Sequence, residues 1–148
     1  MSKVLIIDNF LSDKDCNNLI NLFKKSKIKK EFRDTLVVTI KNNKLQNKLN
    51  MMAQEFNGSE TDWYQIVEWP KNSSQLLHVD DFYNHTTLSS VLYLNDDYKG
   101  GETFFKDGTI VKPKRGRILV FDGLKYYHGV KQVTKGTRYA SPCWYKKI

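Results

Sequence analysis

Beyond Asn57-Gly58 the chain is cut into short β-prone runs: WYQIVEW, QLLHV, TTLSSVLYLN, ETFF, TIVK, RILVF, GVKQV and RYASPCWY. Turn formers separate them, at Pro70-Lys71-Asn72, Asp97 to Gly101, Asp107-Gly108, Pro113 to Gly116, Asp122-Gly123 and Lys135-Gly136. Glycine tolerates positive φ and proline fixes its own φ, so these residues end a run rather than extend it. Strands this short, recurring roughly every 8–12 residues, predict a closed or double-sheet all-β unit such as a jelly roll.

The N-terminal third reads differently. Val4 to Ile7 is a short strand-like run. Ser12, with Asp15 three residues on, resembles a helix N-cap with an acid in the positive first turn. Leu19, Ile20, Phe23 and Lys27 continue at helical spacing, so a helix is expected over about 12–27. LVVTI, residues 36 to 40, is β-branched and reads as a strand. Leu45, Leu49, Met52 and Phe56 form one apolar stripe on a second helix that starts near Asn42 or Asn43. The fold expectation is a mostly β protein with two N-terminal α-helices bracing one sheet, a single domain over 1–148.

Composition narrows the setting. No run approaches 18 apolar residues, so no membrane-spanning helix is expected. The start, MSKVLIIDNF, lacks a long apolar core and a small-residue cleavage site, so it does not read as a signal peptide. Cys16 and Cys143 are far apart and in no metal-binding or redox spacing, which suits free thiols in a reducing, cytoplasmic compartment. The net charge of +8 would suit acidic partners, but it comes almost wholly from lysines spread along the chain. A solvated lysine-rich surface is the simpler reading. The abundance of Lys and Asn also fits an AT-rich coding genome, such as a phage or low-GC bacterium.

The chemistry is concentrated in HVDDFYNH, residues 78 to 85, in a chain with three histidines. On a strand, residues i and i+2 project from the same face, so His78 and Asp80 can meet one metal. Asp81 points away or belongs to the following loop, and His85 lies among loop residues near the entrance. A lone H-x-D is weak, but His128 follows the RILVF strand and a turn, and can complete a set. Two histidines and one carboxylate on one face suit a non-haem iron(II) site that keeps positions open for a co-substrate and dioxygen. Ten residues later stands Arg138, at the head of an apolar strand. Its side chain shares a pleat face with Ala140, opposite Tyr139 and Ser141. A charge buried in a barrel needs an anionic partner, and the arginine fork pairs bidentately with a carboxylate.

Taken together, HVD, GGETFF, VKPKRGRILVFDG, HGV and GTRYA, in that order, resemble the 2-oxoglutarate/Fe(II) dioxygenases, in particular their prolyl 4-hydroxylase-like branch. The resemblance runs from about Tyr64 to Tyr145. It implies a double-stranded β-helix core, the jelly-roll or cupin-like barrel. It implies His78, Asp80 and His128 as iron ligands, with no catalytic side chain beyond them. It also implies Arg138, with Tyr93, on the distal carboxylate of 2-oxoglutarate. Tyr93 shares a pleat face with Ser89 and Val91, so all three could line the pocket. Gly100 to Thr103 match a structural turn, and Trp144 sits where relatives place a large aromatic. Trp69 stands where some relatives have a tyrosine that bonds the co-substrate. The implied cofactors are Fe(II), 2-oxoglutarate and O2, with ascorbate as a further candidate. Asp80 argues for a hydroxylase over a halogenase, because related halogenating enzymes have a small residue there. The implied reaction is hydroxylation of a C–H bond, foremost of a prolyl residue in a peptide or protein, with release of succinate and CO2.

The rivals are a hydroxylase of a free amino acid or small metabolite, a nucleic-acid-modifying oxygenase, and a cupin-like binding protein without turnover. Nucleic acid is disfavoured because no second arginine follows Arg138 in YASPCWYKKI. A purely structural barrel would need neither the triad nor Arg138. Tyr126 and Tyr127 are read as packing, Asp122-Gly123 as a turn, Cys143 as a buried apolar group, and Lys27 to Arg33 as either a solvated basic loop or a segment that closes over a peptide.

Overall fold

The computed structural model describes residues 4–57, 59–80 and 86–148. Strand β1 (Leu5–Ile7) leads into helix α1 (Asp13–Lys25). Ser12 caps α1, its Oγ accepting from the Asp15 N–H at 3.2 Å, as the sequence predicted. The hairpin β2 (Lys30–Phe32) and β3 (Thr35–Thr39) follows, then helix α2 (Asn43–Asn57), whose Asn42 cap accepts from the Leu45 N–H. The barrel comes next: β4 (Ser59–Trp69), β5 (Gln75–His78), β6 (Thr86–Tyr93), β7 (Lys99–Gly100), β8 (Thr103–Phe105) and β9 (Ile110–Val111). It closes with β10 (Ile118–Phe121), β11 (His128–Val130), β12 (Val133–Lys135) and β13 (Arg138–Lys147).

Seven strands form one antiparallel sheet in the order β1-β10-β6-β13-β4-β3-β2, and four form a second in the order β5-β11-β8-β9. Strands β12 and β7 make a separate ribbon. This is the expected double-stranded β-helix.

Period-two alternation divides the large sheet. Tyr139, Cys143 and Tyr145 of β13 face outward into a core completed by Leu19 and Phe23 of α1 and Leu45 and Leu49 of α2. Phe23 meets Tyr139 edge to face at 5.7 Å. A second apolar cluster, Tyr93, Phe105, Val111, Leu119 and Phe121, is built from β6, β8, β9 and β10 and joins the large sheet to the small one. A salt bridge of 2.8 Å from Lys44 to Asp15 ties α2 to the first turn of α1.

The departures from expectation are local. The buried face of α2 is Leu45, Leu49, Met52 and Ala53, whereas Phe56 is 39% exposed. At 100° per residue Ala53 falls about 40° from Leu49, on the side away from Met52, and its small side chain lets the helix approach β4. GVKQV is not one strand but two, β11 and β12, belonging to different sheets. Lys30–Phe32, read as loop, forms an edge strand. Both cysteines are buried and free, and no described helix is long and apolar enough to cross a membrane. The burial difference on α2 is measurable: Leu49→Ala is expected to cost ~2–5 kcal/mol in urea unfolding, and Phe56→Ala about 1 kcal/mol or less.

Candidate metal centre

His78 ends β5 and His128 opens β11, and the two are direct cross-strand partners. Antiparallel pairing therefore brings their rings to a centroid distance of 4.5 Å. Asp80 lies just beyond the end of β5 rather than on it. Its N–H donates to the Gly123 carbonyl at 2.8 Å, which takes over the job that strand pairing would have done. One ligand atom from each of the three residues lies within 4.8 Å of the others. Asp80 Oδ1 is 3.4 Å from His78 Nε2 and 3.3 Å from His128 Nε2.

The surroundings fix which atoms face the centre. His78 Nδ1 lies 2.9 Å from the Leu76 carbonyl, and His128 Nδ1 lies 2.9 Å from the Tyr126 carbonyl. A carbonyl can only accept, so each Nδ1 carries a hydrogen and each Nε2 faces the centre, where it donates to Asp80 when it holds a proton and offers a lone pair to a metal when it does not. Asp80 Oδ2 accepts from Ser89 Oγ at 2.8 Å, leaving Oδ1 directed at the two imidazoles. Ser89, read from the pleat as pocket-lining, thus holds the carboxylate in place. Phe121 packs edge-on against His128 at 4.6 Å, walling off water. Two unprotonated imidazole nitrogens and one carboxylate oxygen, converging in a half-dry site, fit a first-row divalent metal such as Fe(II).

The electrostatics agree. Burial would raise the carboxyl of Asp80, but hydrogen bonds from His128, His78 and Ser89 outweigh it and hold the group well below the usual carboxylate range. Burial pulls His78 down, yet its contacts with Asp80 and the Leu76 carbonyl leave it raised on balance.

The trio opens into a cavity of about 680 Å³. Arg138 and Trp69 line it, as do Thr103 and Val91. Arg138 faces inward as predicted and is only 2% exposed. Among the described residues its Nε has no hydrogen-bond partner. A buried guanidinium so placed fits the carboxylate of a dicarboxylate ligand. Tyr93 lies beside it, but its hydroxyl is engaged by Thr103 Oγ1 at 2.7 Å and by the Val111 carbonyl at 3.3 Å. Trp144 lines the same cavity, stacked on Trp63 at 4.1 Å.

Two contributors escaped the sequence reading. Trp63 meets Trp144 only through β4–β13 pairing. Tyr98 is buried beside Arg138, close enough for that charge to oppose the upward push of burial on its phenol. Neither had a local signal. Asp81 and His85 lie outside the described residues.

Gly123 is required by close approach: a Cβ there would come 2.0 Å from Ser89 Oγ and 2.7 Å from Asp80 Oδ2. Gly123→Ala should displace the carboxylate. With Ser89→Ala it is expected to weaken Co(II) binding by about 10–100-fold, read from the cobalt visible spectrum. The same titration should weaken as pH falls through the imidazole range, because protons then compete for the Nε2 lone pair of His78. The raised His78 makes that competition begin at a higher pH than for an ordinary histidine.

Comparison with known proteins agrees with this geometry. Human prolyl 3-hydroxylase 2 is 41% identical over 70 residues, covering 43% of this chain and 10% of that protein. The chain thus spans about a tenth of the length of the curated relatives it matches. Two solved structures share the fold. A viral collagen prolyl hydroxylase from Paramecium Bursaria Chlorella virus-1, in its 2OG complex, has a TM-score of 0.79 at 22% identity, covering 98% of this chain and 96% of that one. A prolyl hydroxylase from Trichoplax adhaerens, in complex with a hypoxia inducible factor peptide fragment, has a TM-score of 0.86 at 16% identity, covering 99% and 84%. Residues 64–146, more than half of the chain, match the 2OG-Fe(II) oxygenase superfamily, and the chain belongs to that family of Fe(II)- and 2-oxoglutarate-dependent dioxygenases.

Proposed function

We propose that the chain hydroxylates prolyl residues in a peptide or protein, with His78, Asp80 and His128 holding Fe(II) and Arg138 holding the distal carboxylate of 2-oxoglutarate. The observation that carries the metal and co-substrate assignment is the trio and the buried Arg138, whose Nε has no hydrogen-bond partner among the described residues, sharing one cavity. The prolyl substrate is supported by the similarity to prolyl 3-hydroxylases. It is also supported by the reach of the cavity, which runs from the trio over Trp63, Gln65, Val37 and Phe32 of β4, β3 and β2. An extended chain can lie along such a trough with one residue at the metal, whereas a free amino acid would leave most of it empty. Buried free thiols support a reducing, cytoplasmic setting.

When bound, Fe(II) with 2-oxoglutarate supplies the oxidising chemistry that places one atom of dioxygen on a substrate C–H bond and yields succinate and CO2. The chain's own part is binding and exclusion. Ser89 and the Gly123 carbonyl orient Asp80. Backbone carbonyls fix both imidazole tautomers. Phe105 and Phe121 keep water from the small-sheet side of His128. Arg138 orients the co-substrate from the far wall by charge-assisted, bidentate hydrogen bonds.

The test is 2-oxoglutarate decarboxylation measured across a panel of proline-containing peptides, free proline and single-stranded DNA, with mass analysis of each. Succinate release stimulated by a peptide that gains one oxygen atom, and lost in Asp80→Ala, is the expected result. Amino-acid analysis would then place the hydroxyl at carbon 3 or 4. Oxygen gained by free proline or by DNA, with no peptide modified, would overturn the peptide assignment.

A further inference from the structure

Arg138 opens β13 directly opposite Trp69, the last residue of β4. Its Cζ lies 5.0 Å from the centre of the Trp69 ring and 5.4 Å from that of Tyr93. The stem is confined too: at Gly101, with φ +68°, a Cβ would come 3.2 Å from Arg138 Cδ and 3.0 Å from Tyr98 Cε2. Contact with aromatic faces restrains a guanidinium through its flat surface and leaves its N–H edge free for a ligand. Of the two rings against the cation, Tyr93 is fully buried, whereas Trp69 also lines the cavity. Trp69 is therefore in contact with the cation and with the space the co-substrate takes. Its backbone is fixed by antiparallel pairing with β13 at the end of β4.

We propose that Trp69 is a specificity-determining residue for the co-substrate. Its indole holds the Arg138 guanidinium at a fixed depth and walls the cavity beside it, so that the site accepts a five-carbon 2-oxo dicarboxylate and rejects the six-carbon homologue. This rests on the assignment of Arg138 to the distal carboxylate. Removing the ring frees the guanidinium to retreat and opens room along the wall. The short ligand then loses its fit and the long one gains room.

The experiment is calorimetric binding of 2-oxoglutarate and of 2-oxoadipate to Mn(II)-loaded protein without oxygen, so that no turnover occurs. Trp69→Ala is expected to weaken 2-oxoglutarate about tenfold and to raise the 2-oxoadipate/2-oxoglutarate affinity ratio by a similar factor. Trp69→Phe, which keeps an aromatic face, should retain most of the discrimination. If Trp69→Ala fails to fold, as judged by its thermal melt, Trp69→Leu replaces it with the same expected shift. A ringless variant that binds both ligands within about twofold of the native protein overturns the proposal. Arg138→Met separates the two levels: its failure to weaken 2-oxoglutarate would overturn the assignment of Arg138 itself, whatever Trp69 does.

Discussion

Strand β13 is hydrogen-bonded along both edges, to β4 on one side and β6 on the other, and the rest of the molecule depends on that register. Alternation sends Tyr139, Cys143 and Tyr145 to the helices and Arg138, Ala140, Pro142 and Trp144 to the cavity. A one-residue slip would exchange the two sets. It would put a guanidinium into the helix-packed core and two tyrosines into the site. The apolar cost of that exchange holds the register, so the core stabilises the placement of Arg138 without contacting its charge. A buried cation with an unpartnered Nε is tolerated because the surrounding sheet over-determines its position.

The metal centre obeys a related logic at shorter range. Three groups that would bind a metal are close enough to bind one another. Asp80 lies within reach of both imidazoles and accepts from Ser89. The hydrogen bonds that depress its carboxyl keep a ligand oxygen deprotonated in a site where burial alone would protonate it. The backbone contacts at both Nδ1 atoms orient the two rings with Nε2 toward the centre. The small sheet's β5–β11 pairing sets the spacing of the histidines. The turn at Gly123 brings in the carboxylate, and that turn leaves no room for a side chain.

Much of this was legible in the sequence, for identifiable reasons. His78 and Arg138 sit on strands, where a period-two rule aims each of them, and Asp80, two residues after His78, keeps that direction just past the strand end because the Gly123 carbonyl holds its N–H. Ser12 and Asn42 announce their helices because capping is local. What the sequence hid is non-local or depends on size. Phe56 continues the stripe of α2 by spacing but is 39% exposed, whereas Ala53, which is too small to stand out in the stripe, is fully buried. The split of GVKQV between two sheets follows from partners far along the chain. The packing of Trp69 on Arg138 and the stack of Trp63 on Trp144 exist only once β4 and β13 are paired. Lys30–Phe32 has little strand character of its own and is a strand because β3 lies beside it.

The two ends of the cavity are built from different parts of the chain, and that division bears on how substrate is chosen. The trio, Arg138 and Trp69 fall within residues 64–146, the stretch that matches the oxygenase family. That end is enclosed by two sheets, and its groups are buried and mutually restrained. The opposite rim is supplied by Lys30 to Thr39 of β2 and β3, outside the matched stretch, on the free edge of the large sheet. Its side chains at Lys30, Glu31, Phe32 and Arg33 are exposed, so changing them disturbs little packing. A site arranged this way can keep one oxidising chemistry while its partner changes. Under the proposed prolyl-peptide function, the residues that select the substrate should therefore be sought on β2 and β3 rather than around the metal.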